Sequence, residues 1–270
     1  MMIGVFDSGF GGLTKLKAFL EELPEYDYLY LGDSARNPYG NHSKETILRY
    51  TKEGVEFLFE KGAKLVILAC NTASANALRT LQEEMIRKPG VKDKNILGVV
   101  VPIAEAIEES GAEKVAVIGT NATIESGVYE EEIKKRSPKA VLLSKACPLL
   151  VPLIEEGWAR KMETKRVLKS YLRDLKAQNP DLLVPACTHY PILQKEMQQI
   201  MGKGASVMET GKIVAKKLRE YLKRHPEIES LLGKNGKREF YATDAPERFG
   251  ELGGEFLGKK IENVKSAILG

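Results

Sequence analysis

Cysteine and histidine, the residues that form disulfides and hold most protein-bound zinc, are scarce in this sequence. The 270 residues contain three of each, namely Cys70, Cys147, Cys187, His42, His189 and His225. An odd and sparse set of cysteines is not typical of a disulfide framework, which predicts free thiols in a reducing compartment. Because the chain has no C-x-x-C motif and its histidines are scattered, no metal site is predicted either.

Long apolar runs and a strong excess of one charge are also missing. No stretch reaches the roughly 18 consecutive apolar residues of a membrane span, and the amino terminus lacks the basic region of a signal peptide. The 41 basic and 37 acidic residues give a net charge of +4, which is too small to predict a nucleic-acid or membrane surface. We therefore expect a cytoplasmic protein with no nucleic acid and no membrane among its partners.

What is present predicts an α/β protein with a sizeable core. Hydrophobic residues make up 43% and charged residues 29% of a chain whose length suits one large or two small domains. Short runs rich in Val, Ile and Leu, typical of strands buried on both faces, alternate with longer amphipathic segments. The predicted strands are residues 3–6, 65–68, 97–101, 115–118 and 182–184. Helices are predicted from an N-cap at Ser43 to about Gly62, and across residues 167–175 before Asn179-Pro180.

Similar strand-to-loop segments occur in both halves of the chain. Asp7 follows the first strand and Cys70 follows another strand 63 residues later, while Thr120 and Cys187 hold matching positions 67 residues apart. Ligands of open parallel α/β sheets bind beyond the carboxyl ends of the strands, where both cysteines are predicted to lie. Two similar domains that face each other would bring these thiols together. The alternative is a coincidence of two alanine–cysteine pairs.

Cys70 and Cys187 are each predicted to precede a helix. The free N–H groups and partial positive charge of a helix amino terminus bind carboxylates and favour thiolate over thiol. Both cysteines are therefore candidates for working thiols beside a carboxylate ligand, and the alternative is that they are small buried packing residues. Cys147 opens an apolar segment that continues to Glu155, and we interpret it as a packing residue.

A glycine-rich segment, Asp7-Ser8-Gly9-Phe10-Gly11-Gly12, follows the first strand. It lacks the third glycine of the dinucleotide fingerprint, with Thr14 in its place, and the chain has no P-loop, so no nucleotide cofactor is predicted. Asp7 is a candidate for orienting an ammonium group or assisting proton transfer. The alternative is that Asp7 or Ser8 only caps the following helix.

Two further loop features are candidates for function. His189 stands two residues after Cys187 and could assist the protonation of that thiol, or else it only hydrogen-bonds its own loop. The segment 33–40 is either an ordered binding loop or plain turn chemistry. The Lys- and Arg-rich helices around residues 160–176 and 212–224 are interpreted as solvated faces.

Four motifs, in this order, resemble those of glutamate racemase: Asp7-Ser8-Gly9-x-Gly11-Gly12, Asp33-Ser34-Ala35-Arg36-x-Pro38-Tyr39-Gly40, Ala69-Cys70-Asn71-Thr72-Ala73-Ser74 and Cys187-Thr188-His189-Tyr190-Pro191. The resemblance continues through Cys147-Pro148-Leu149 and residues 240–249, so it spans nearly the whole chain. Each motif alone is weak, but the ordered set is specific. The sequence departs from the family pattern at Ala186, where glycine is common, and at Glu209-Thr210, where Asp-Ser is more usual.

The resemblance implies a cofactor-independent racemase that interconverts L- and D-glutamate and supplies D-glutamate for peptidoglycan synthesis. Cys70 and Cys187 would be the two catalytic bases: one thiolate removes the Cα proton from one face of glutamate, and the opposite thiol delivers a proton to the other. Two groups are needed because a single base tends to return the proton to the side from which it came. Asp7 and His189 would adjust the protonation of the nearer cysteine. No cofactor is implied, and homodimers are usual in the family.

The resemblance also implies where the substrate binds and how the chain divides. The substrate would contact Asp7, Ser8, Tyr39, Gly40, Asn71, Thr72, Thr188 and His189. The fold would consist of two pseudo-symmetric α/β domains, each a mainly parallel sheet flanked by helices, with the active site in the cleft between them. Residues 1–97 and 209–270 would form the first domain, on the Cys70 side, and residues 98–208 the second, on the Cys187 side.

Three other functions fit parts of the same pattern. Aspartate racemase shares the twin-cysteine logic and would be separated by comparing turnover of the two amino acids. A non-catalytic amino-acid- or protein-binding role, including the gyrase inhibition ascribed to some relatives, requires thiols of ordinary reactivity. A pyridoxal phosphate enzyme would show its cofactor in the absorption spectrum.

Overall fold

The computed structural model describes residues 1–91 and 93–270. Its strands, in chain order, are β1 (Met2–Asp7), β2 (Tyr28–Gly32), β3 (Ala63–Leu68), β4 (Asn95–Gly98), β5 (Lys114–Gly119), β6 (Val141–Ala146), β7 (Leu182–Ala186), β8 (Ser206–Val207), β9 (Arg238–Ala242) and β10 (Lys265–Ser266). Its α-helices are α1 (Leu13–Glu22), α2 (Lys44–Glu60), α3 (Asn71–Leu81), α4 (Val100–Ser110), α5 (Asn121–Glu125), α6 (Val128–Arg136), α7 (Leu150–Glu155), α8 (Met162–Ala177), α9 (Gln194–Met201), α10 (Thr210–Arg224), α11 (Pro226–Glu229) and α12 (Pro246–Leu257).

The strands form two sheets that repeat one topology. The first sheet has the order β10-β9-β2-β1-β3-β4 and the second the order β6-β5-β7-β8. All neighbouring strands in the described residues are parallel. The order β2-β1-β3-β4 corresponds to β6-β5-β7-β8, so β1 is equivalent to β5 and β3 to β7. The predicted fold class, two pseudo-symmetric α/β halves built on parallel sheets, is confirmed.

Both faces of the first sheet are covered by apolar side chains. Alternate residues of a strand point to opposite faces; accordingly, Ile3 and Val5 of β1 belong to a cluster shared with α1, and Phe6 belongs to another shared with α2 and α3. The cluster that contains Ile3 continues into the second sheet, where it includes Val115 and Leu183. A continuous core therefore connects the two sheets.

Most predicted elements are confirmed. The predicted strands 3–6, 65–68, 115–118 and 182–184 lie within β1, β3, β5 and β7. Ser43 caps α2, since its hydroxyl accepts the N–H of Thr46 at 3.3 Å. The helix α8 ends at Ala177, and Asn179 then adopts a left-handed φ of 49°.

The predicted strand over residues 97–101 is wrong in its second half. β4 ends at Gly98, and α4 begins at Val100. Pro102 cannot donate a hydrogen bond to a sheet but suits the first turn of a helix. Val100 and Ile107 are buried on the helix face that packs into the core, and the N–H of Val99 donates to Ser74 Oγ at 3.0 Å rather than to a strand.

No helix in the part of the chain that the structure describes combines the length and apolar character needed to cross a membrane.

Candidate active site

The carboxyl ends of equivalent strands bring the candidate residues together. Cys70 comes just after β3 and Cys187 directly after β7, while Asp7 ends β1. Parallel strands end at the same edge of a sheet, and the two edges face each other, because Thr188 Oγ1 donates to Asp7 Oδ1 at 3.3 Å. Ser8, the chain neighbour of Asp7, contacts Cys70: its Oγ lies 3.6 Å from Cys70 Sγ. One cluster therefore contains both cysteines.

Cys70 is held at the amino terminus of α3. It is the N-cap residue, and its Sγ accepts the N–H of Ala73 at 3.5 Å. Burial, together with the charge of Asp7, nevertheless raises the pKa of Cys70 to about 12, against the effects of Ala73 N–H and Ser8. The predicted helix position is confirmed, but the helix terminus does not outweigh burial, so Cys70 carries its proton at neutral pH.

Cys187 has different partners. As predicted, a helical segment follows Cys187: a 3-10 turn, Tyr190–Leu193, has Pro191 at its start and leads into α9, but its N-cap is His189 and not Cys187. Its Sγ lies 3.8 Å from His189 Nδ1, and His189 Nε2 lies 2.8 Å from Glu155 Oε1. Asn37 Nδ2 donates to both carboxylate oxygens of Glu155, at 2.7 and 2.8 Å. His189 is therefore oriented by a carboxylate, which sequence reasoning had assigned to an apolar packing segment.

The contacts of His189 determine its charge. Burial by itself would lower the pKa of this imidazole, but its hydrogen bonds to Cys187 and Glu155 outweigh burial and raise the pKa to about 10. His189 is consequently an imidazolium at neutral pH. A cation 3.8 Å from Cys187 Sγ stabilises negative charge on that sulfur.

Replacing Glu155 by glutamine tests this assignment. In the unchanged protein we expect His189 to lose its proton only near pH 10, whereas Glu155→Gln should lower this pKa by about one unit or more because the anionic acceptor is lost. NMR titration of the imidazole resonances measures it, with His189→Asn to assign the signal and His42 and His225, which do not contact Glu155, as internal references.

The same substitution has a defined effect on stability. Because the pKa of His189 is raised on folding, its contribution is complete below about pH 6.5 and is lost as pH rises through about 10. The unfolding temperatures of wild type and Glu155→Gln should differ most near pH 6 to 7 and converge towards pH 10. Equal His189 titrations in the two proteins would contradict the assignment.

Asp7 is fully buried between the two halves. Its Oδ2 accepts the N–H of Gly9 at 3.1 Å, and burial raises its pKa while His189 and the N–H groups of Gly12 and Gly9 oppose the rise. The N-cap of α1 is Gly12, with no side-chain capping bond. The alternative that Asp7 or Ser8 only caps this helix is therefore wrong.

The segment 33–40 is an ordered loop rather than a plain turn. The buried carboxylate of Asp33 accepts hydrogen bonds from Arg36 Nε at 2.7 Å, from Thr243 Oγ1 at 2.9 Å and from the hydroxyl of Tyr39. Gly40 lies against the second half, since a Cβ at this position would be 2.6 Å from Thr120 Cβ. The loop thereby places Tyr39 and Gly40 at the boundary between the halves.

Asn71 and Thr72, the first residues of α3, contact the second half directly. Asn71 Nδ2 donates to the hydroxyl of Tyr129 at 2.6 Å, and its Oδ1 is buried with no hydrogen-bond partner among the described residues. Thr72 Oγ1 lies 2.9 Å from Thr120 Oγ1 and 3.1 Å from Thr123 Oγ1. Asn71 Oδ1 is thus an acceptor available to a ligand. Tyr129 and Thr123 are not anticipated from local sequence patterns.

Cys147 is a packing residue of the core. Cys147 is fully buried in the core, as predicted, and burial raises its pKa to about 12. Its backbone oxygen accepts the hydroxyl of Tyr190 at 2.9 Å. Across residues 1–91 and 93–270, no group of three His, Cys, Asp or Glu side chains is arranged to hold a metal ion.

The candidate site is closed to solvent. The exposed fractions are 0% for Asp7, 4% for Cys70, 5% for Cys187 and 2% for His189. A ligand can reach these groups only if the two halves separate. The fold and the site together define a class: a two-domain parallel α/β enzyme with acid–base groups from both halves in one enclosed space.

Comparison with known proteins identifies the family. A model of the Asp/Glu/Hydantoin racemase family matches residues 15–218. The glutamate racemase of Aquifex aeolicus (strain VF5) is 43% identical over 263 residues, which cover 97% of this chain and 96% of that protein. This chain therefore belongs to the Asp/Glu/Hydantoin racemase family, and it is an amino-acid racemase.

Solved structures agree with this assignment. An isoform of glutamate racemase from Bacillus anthracis matches with a TM-score of 0.89 and 30% identity, covering 99% of this chain and 97% of that one. Glutamate racemase from Francisella tularensis subsp. tularensis SCHU S4, solved in complex with D-glutamate, matches with a TM-score of 0.87 and 32% identity over the same shares. The resemblance to glutamate racemases stated from the motifs is confirmed.

Proposed function

We propose that the protein interconverts L- and D-glutamate by proton transfer at Cα between Cys70 and Cys187, without a cofactor. The observation that carries the proposal is that the two thiols follow equivalent strands and lie in one cluster. Cys70 contacts Ser8, and Thr188, the neighbour of Cys187, donates to Asp7, the neighbour of Ser8. Relatives that span nearly the whole chain are glutamate racemases, and one structural relative holds D-glutamate. These relatives support glutamate as the substrate.

The reaction needs one base and one acid on opposite faces of the substrate. A thiolate takes the Cα proton and becomes a thiol, the electron pair stays on the substrate as a carbanion, and the opposite thiol donates its proton to the other face. The products are the other enantiomer and a thiolate at the second cysteine. In this protonation state the site runs the reverse reaction, and proton exchange with solvent restores the starting state. A single base would tend to return the proton to the face from which it came.

The environments of the two cysteines favour different resting states. Cys70, whose pKa burial raises to about 12, is the proton donor at rest. Cys187 faces the imidazolium of His189, which Glu155 holds in place, so negative charge on its sulfur is stabilised when it acts as the base. Asp7 and His189 adjust the protonation of the nearer thiol, as the family resemblance implies.

The substrate is held by groups from both halves. The first N–H groups of α3 have no acceptor within the helix, so those of Asn71 and Thr72 bind a carboxylate. The unpartnered Oδ1 of Asn71 accepts from the ammonium group. The remaining contacts come from Asp7, Ser8, Tyr39, Gly40, Thr188 and His189. Exclusion of water strengthens these interactions as charge develops at Cα.

The wider setting follows from the same assignment. D-Glutamate made in the cytoplasm is supplied to peptidoglycan synthesis, and the enzyme works as a homodimer. We divide the chain into a first domain of residues 1–97 and 209–270 and a second of residues 98–208. In support, the strands of the first sheet lie in the first set, apart from Gly98 at the end of β4, and those of the second sheet lie in the other.

Hydrogen exchange at Cα tests the proposed reaction. In deuterated water, purified protein without added cofactor should remove the Cα proton signal of L-glutamate while D-glutamate appears, because each turnover introduces a solvent deuteron. Proton NMR with chiral chromatography measures both events. L-Aspartate under the same conditions is the matched comparison and should react much more slowly.

Three outcomes would contradict the proposal. Faster reaction with aspartate would assign the protein to aspartate racemisation. Glutamate binding without exchange, together with thiols of ordinary reactivity, would assign a binding role. An absorption band of bound pyridoxal phosphate in the active protein would replace the two-thiol reaction by cofactor chemistry.

A further inference from the structure

Lys15 is a buried lysine that the proposed mechanism does not use. It lies in the first turn of α1 and is 0% exposed. Its Nζ donates to Thr210 Oγ1 at 2.7 Å. Within residues 1–91 and 93–270, no carboxylate oxygen forms an ion pair with this Nζ. A buried ammonium without a carboxylate partner is costly, so its presence requires compensation from charges at longer range.

The charges that compensate Lys15 are those of Cys187 and Asp7, and the residues beside Lys15 in the chain contact the segments that carry them. Its neighbour Thr14 donates to the backbone oxygen of Thr188 at 2.9 Å, next to Cys187. On the other side, Gly12 packs so closely on Asp7 that a Cβ there would lie 2.4 Å from Asp7 Cβ. Burial lowers the pKa of Lys15 to about 8, while Cys187 and Asp7 work against this effect. At neutral pH the amine is therefore mostly charged.

Other charged groups near Lys15 face the solvent. α1 packs against α10 and α12. On those helices, Glu209 and Lys212 are exposed and pair with each other, and Glu255 is also exposed. The titratable groups whose charges act on the buried ammonium are Cys187 and Asp7, and His189 acts in turn on Asp7.

We propose that Lys15 is a positioning residue of the racemase: its ammonium, held by Thr210, stabilises negative charge on Asp7 and Cys187 and thereby sets the pH range in which the site works. The inference rests on the proposed two-thiol function. It also gives a role to the Glu209-Thr210 segment, where the sequence departs from the family pattern. Thr210 is the acceptor that holds the amine towards the site.

The pH dependence of kcat/KM tests the proposal in Lys15→Met, which keeps the length of the side chain and removes its charge. Loss of the cation should move the ascending limb up by about one pH unit and lower kcat/KM about tenfold at pH values on that limb. In the wild type, kcat/KM should decline from about pH 8, where Lys15 loses its proton, and this decline should be absent in Lys15→Met. Lys15→Arg should retain the wild-type limb, and Lys17→Met, on the exposed side of α1, is the matched control.

Thr210→Val provides a second variant that keeps Lys15 in place. Without its acceptor the ammonium is less stable, so the decline at high pH should begin at lower pH than in the wild type. In a Lys15→Met background the same change should have no further effect on the profile, since the two residues act as one unit. Additive effects of the two substitutions would overturn the proposed pairing.

Two readouts do not depend on turnover. Alkylation of Cys187 by iodoacetamide at pH 7, resolved from Cys70 by peptide mass spectrometry, should slow about three- to tenfold in Lys15→Met, because the thiolate loses a nearby cation. The unfolding temperature at pH 7 should rise, since a buried charge is removed. Unchanged alkylation and an unchanged pH limb in folded Lys15→Met would reduce Lys15 to a packing residue. Racemisation by Cys187→Ala would instead overturn the two-thiol function and leave the alkylation result standing.

Discussion

Replacing either Cys70 or Cys187 by alanine is expected to lower the rate of racemisation by about 10³-fold or more. Each substitution removes a proton-transfer group, and a positioned acid or base contributes about 10²- to 10⁴-fold. Alanine leaves only a small cavity, so the substrate can still bind. It supplies no alternative acid or base, so the rate of proton transfer falls. Racemisation is measured from the appearance of D-glutamate from L-glutamate and in the reverse direction.

The single variants should keep half of the chemistry. In Cys187→Ala the remaining thiol of Cys70 can still remove and return the proton on its own face, so one enantiomer should exchange its Cα hydrogen with solvent without inversion. Cys70→Ala should do the same with the opposite enantiomer. Proton NMR of L- and D-glutamate in deuterated water, measured separately, distinguishes the two cases. This selectivity identifies the face of the substrate that each thiol serves.

Cys147→Ala is the matched control for both variants. Cys147 is also a buried thiol, but it lies in the core and not in the contact between the halves. We expect near wild-type racemisation and a modest loss of stability, about 1 kcal/mol, from the small cavity. Full racemisation in either Cys70→Ala or Cys187→Ala would exclude a two-thiol reaction, as would exchange of the same enantiomer by both variants.

The sequence predicts four interior strands, β1, β3, β5 and β7, and part of the edge strand β4, but it misses the interior strand β2 and the strands β6, β8, β9 and β10. β1, β3, β5 and β7 are continuous apolar runs because both faces are covered. β6 is an edge strand whose Val141 is 51% exposed, and its pattern is correspondingly weak. β9 begins at Arg238 and carries a half-buried Glu239. Such strands depend on a neighbouring strand from elsewhere in the chain, which local periodicity does not reveal.

The candidate site divides in the same way. The positions of Cys70 and Cys187 follow from local signals, because a strand, a loop and a helix start are visible within about ten residues. The role of Glu155 cannot be predicted from local signals, because its contact with His189 spans 34 residues and its contact with Asn37 spans 118. Lys15 stands in a helix with one other lysine, the exposed Lys17, and its burial arises from packing against α10. Tertiary contacts, not local preference, select these residues.

Gly11 packs tightly against the second half, and Gly11→Ala is expected to have the second largest effect. A Cβ on Gly11 would lie 2.3 Å from Thr188 Oγ1 and 2.6 Å from His189 Nδ1. Neither neighbour can yield freely, because Thr188 Oγ1 donates to Asp7 and His189 Nδ1 faces Cys187 Sγ. The added methyl group must therefore push the loop that carries Cys187 away from the first half.

We expect kcat of Gly11→Ala to fall about 10²-fold, since a misplacement of about 1 Å has this cost in a positioned site. The free energy of unfolding should fall by about 1 to 3 kcal/mol from overpacking. Chemical denaturation and steady-state kinetics in both directions measure the two effects. Gly204→Ala is the control, because a Cβ at Gly204 meets no atom within 4 Å and its backbone needs no left-handed φ.

The size of the kcat effect reports the geometry in which the reaction occurs. If the halves close during turnover to the separation seen here, the methyl group is present in every reactive complex, and kcat falls while the binding step, which requires the halves to separate, is less affected. If Gly11→Ala retains wild-type kcat, the thiols must work with the halves further apart. The contacts of Thr188 with Asp7 would then belong to the resting enzyme alone, and the closed cluster would not be the reacting one.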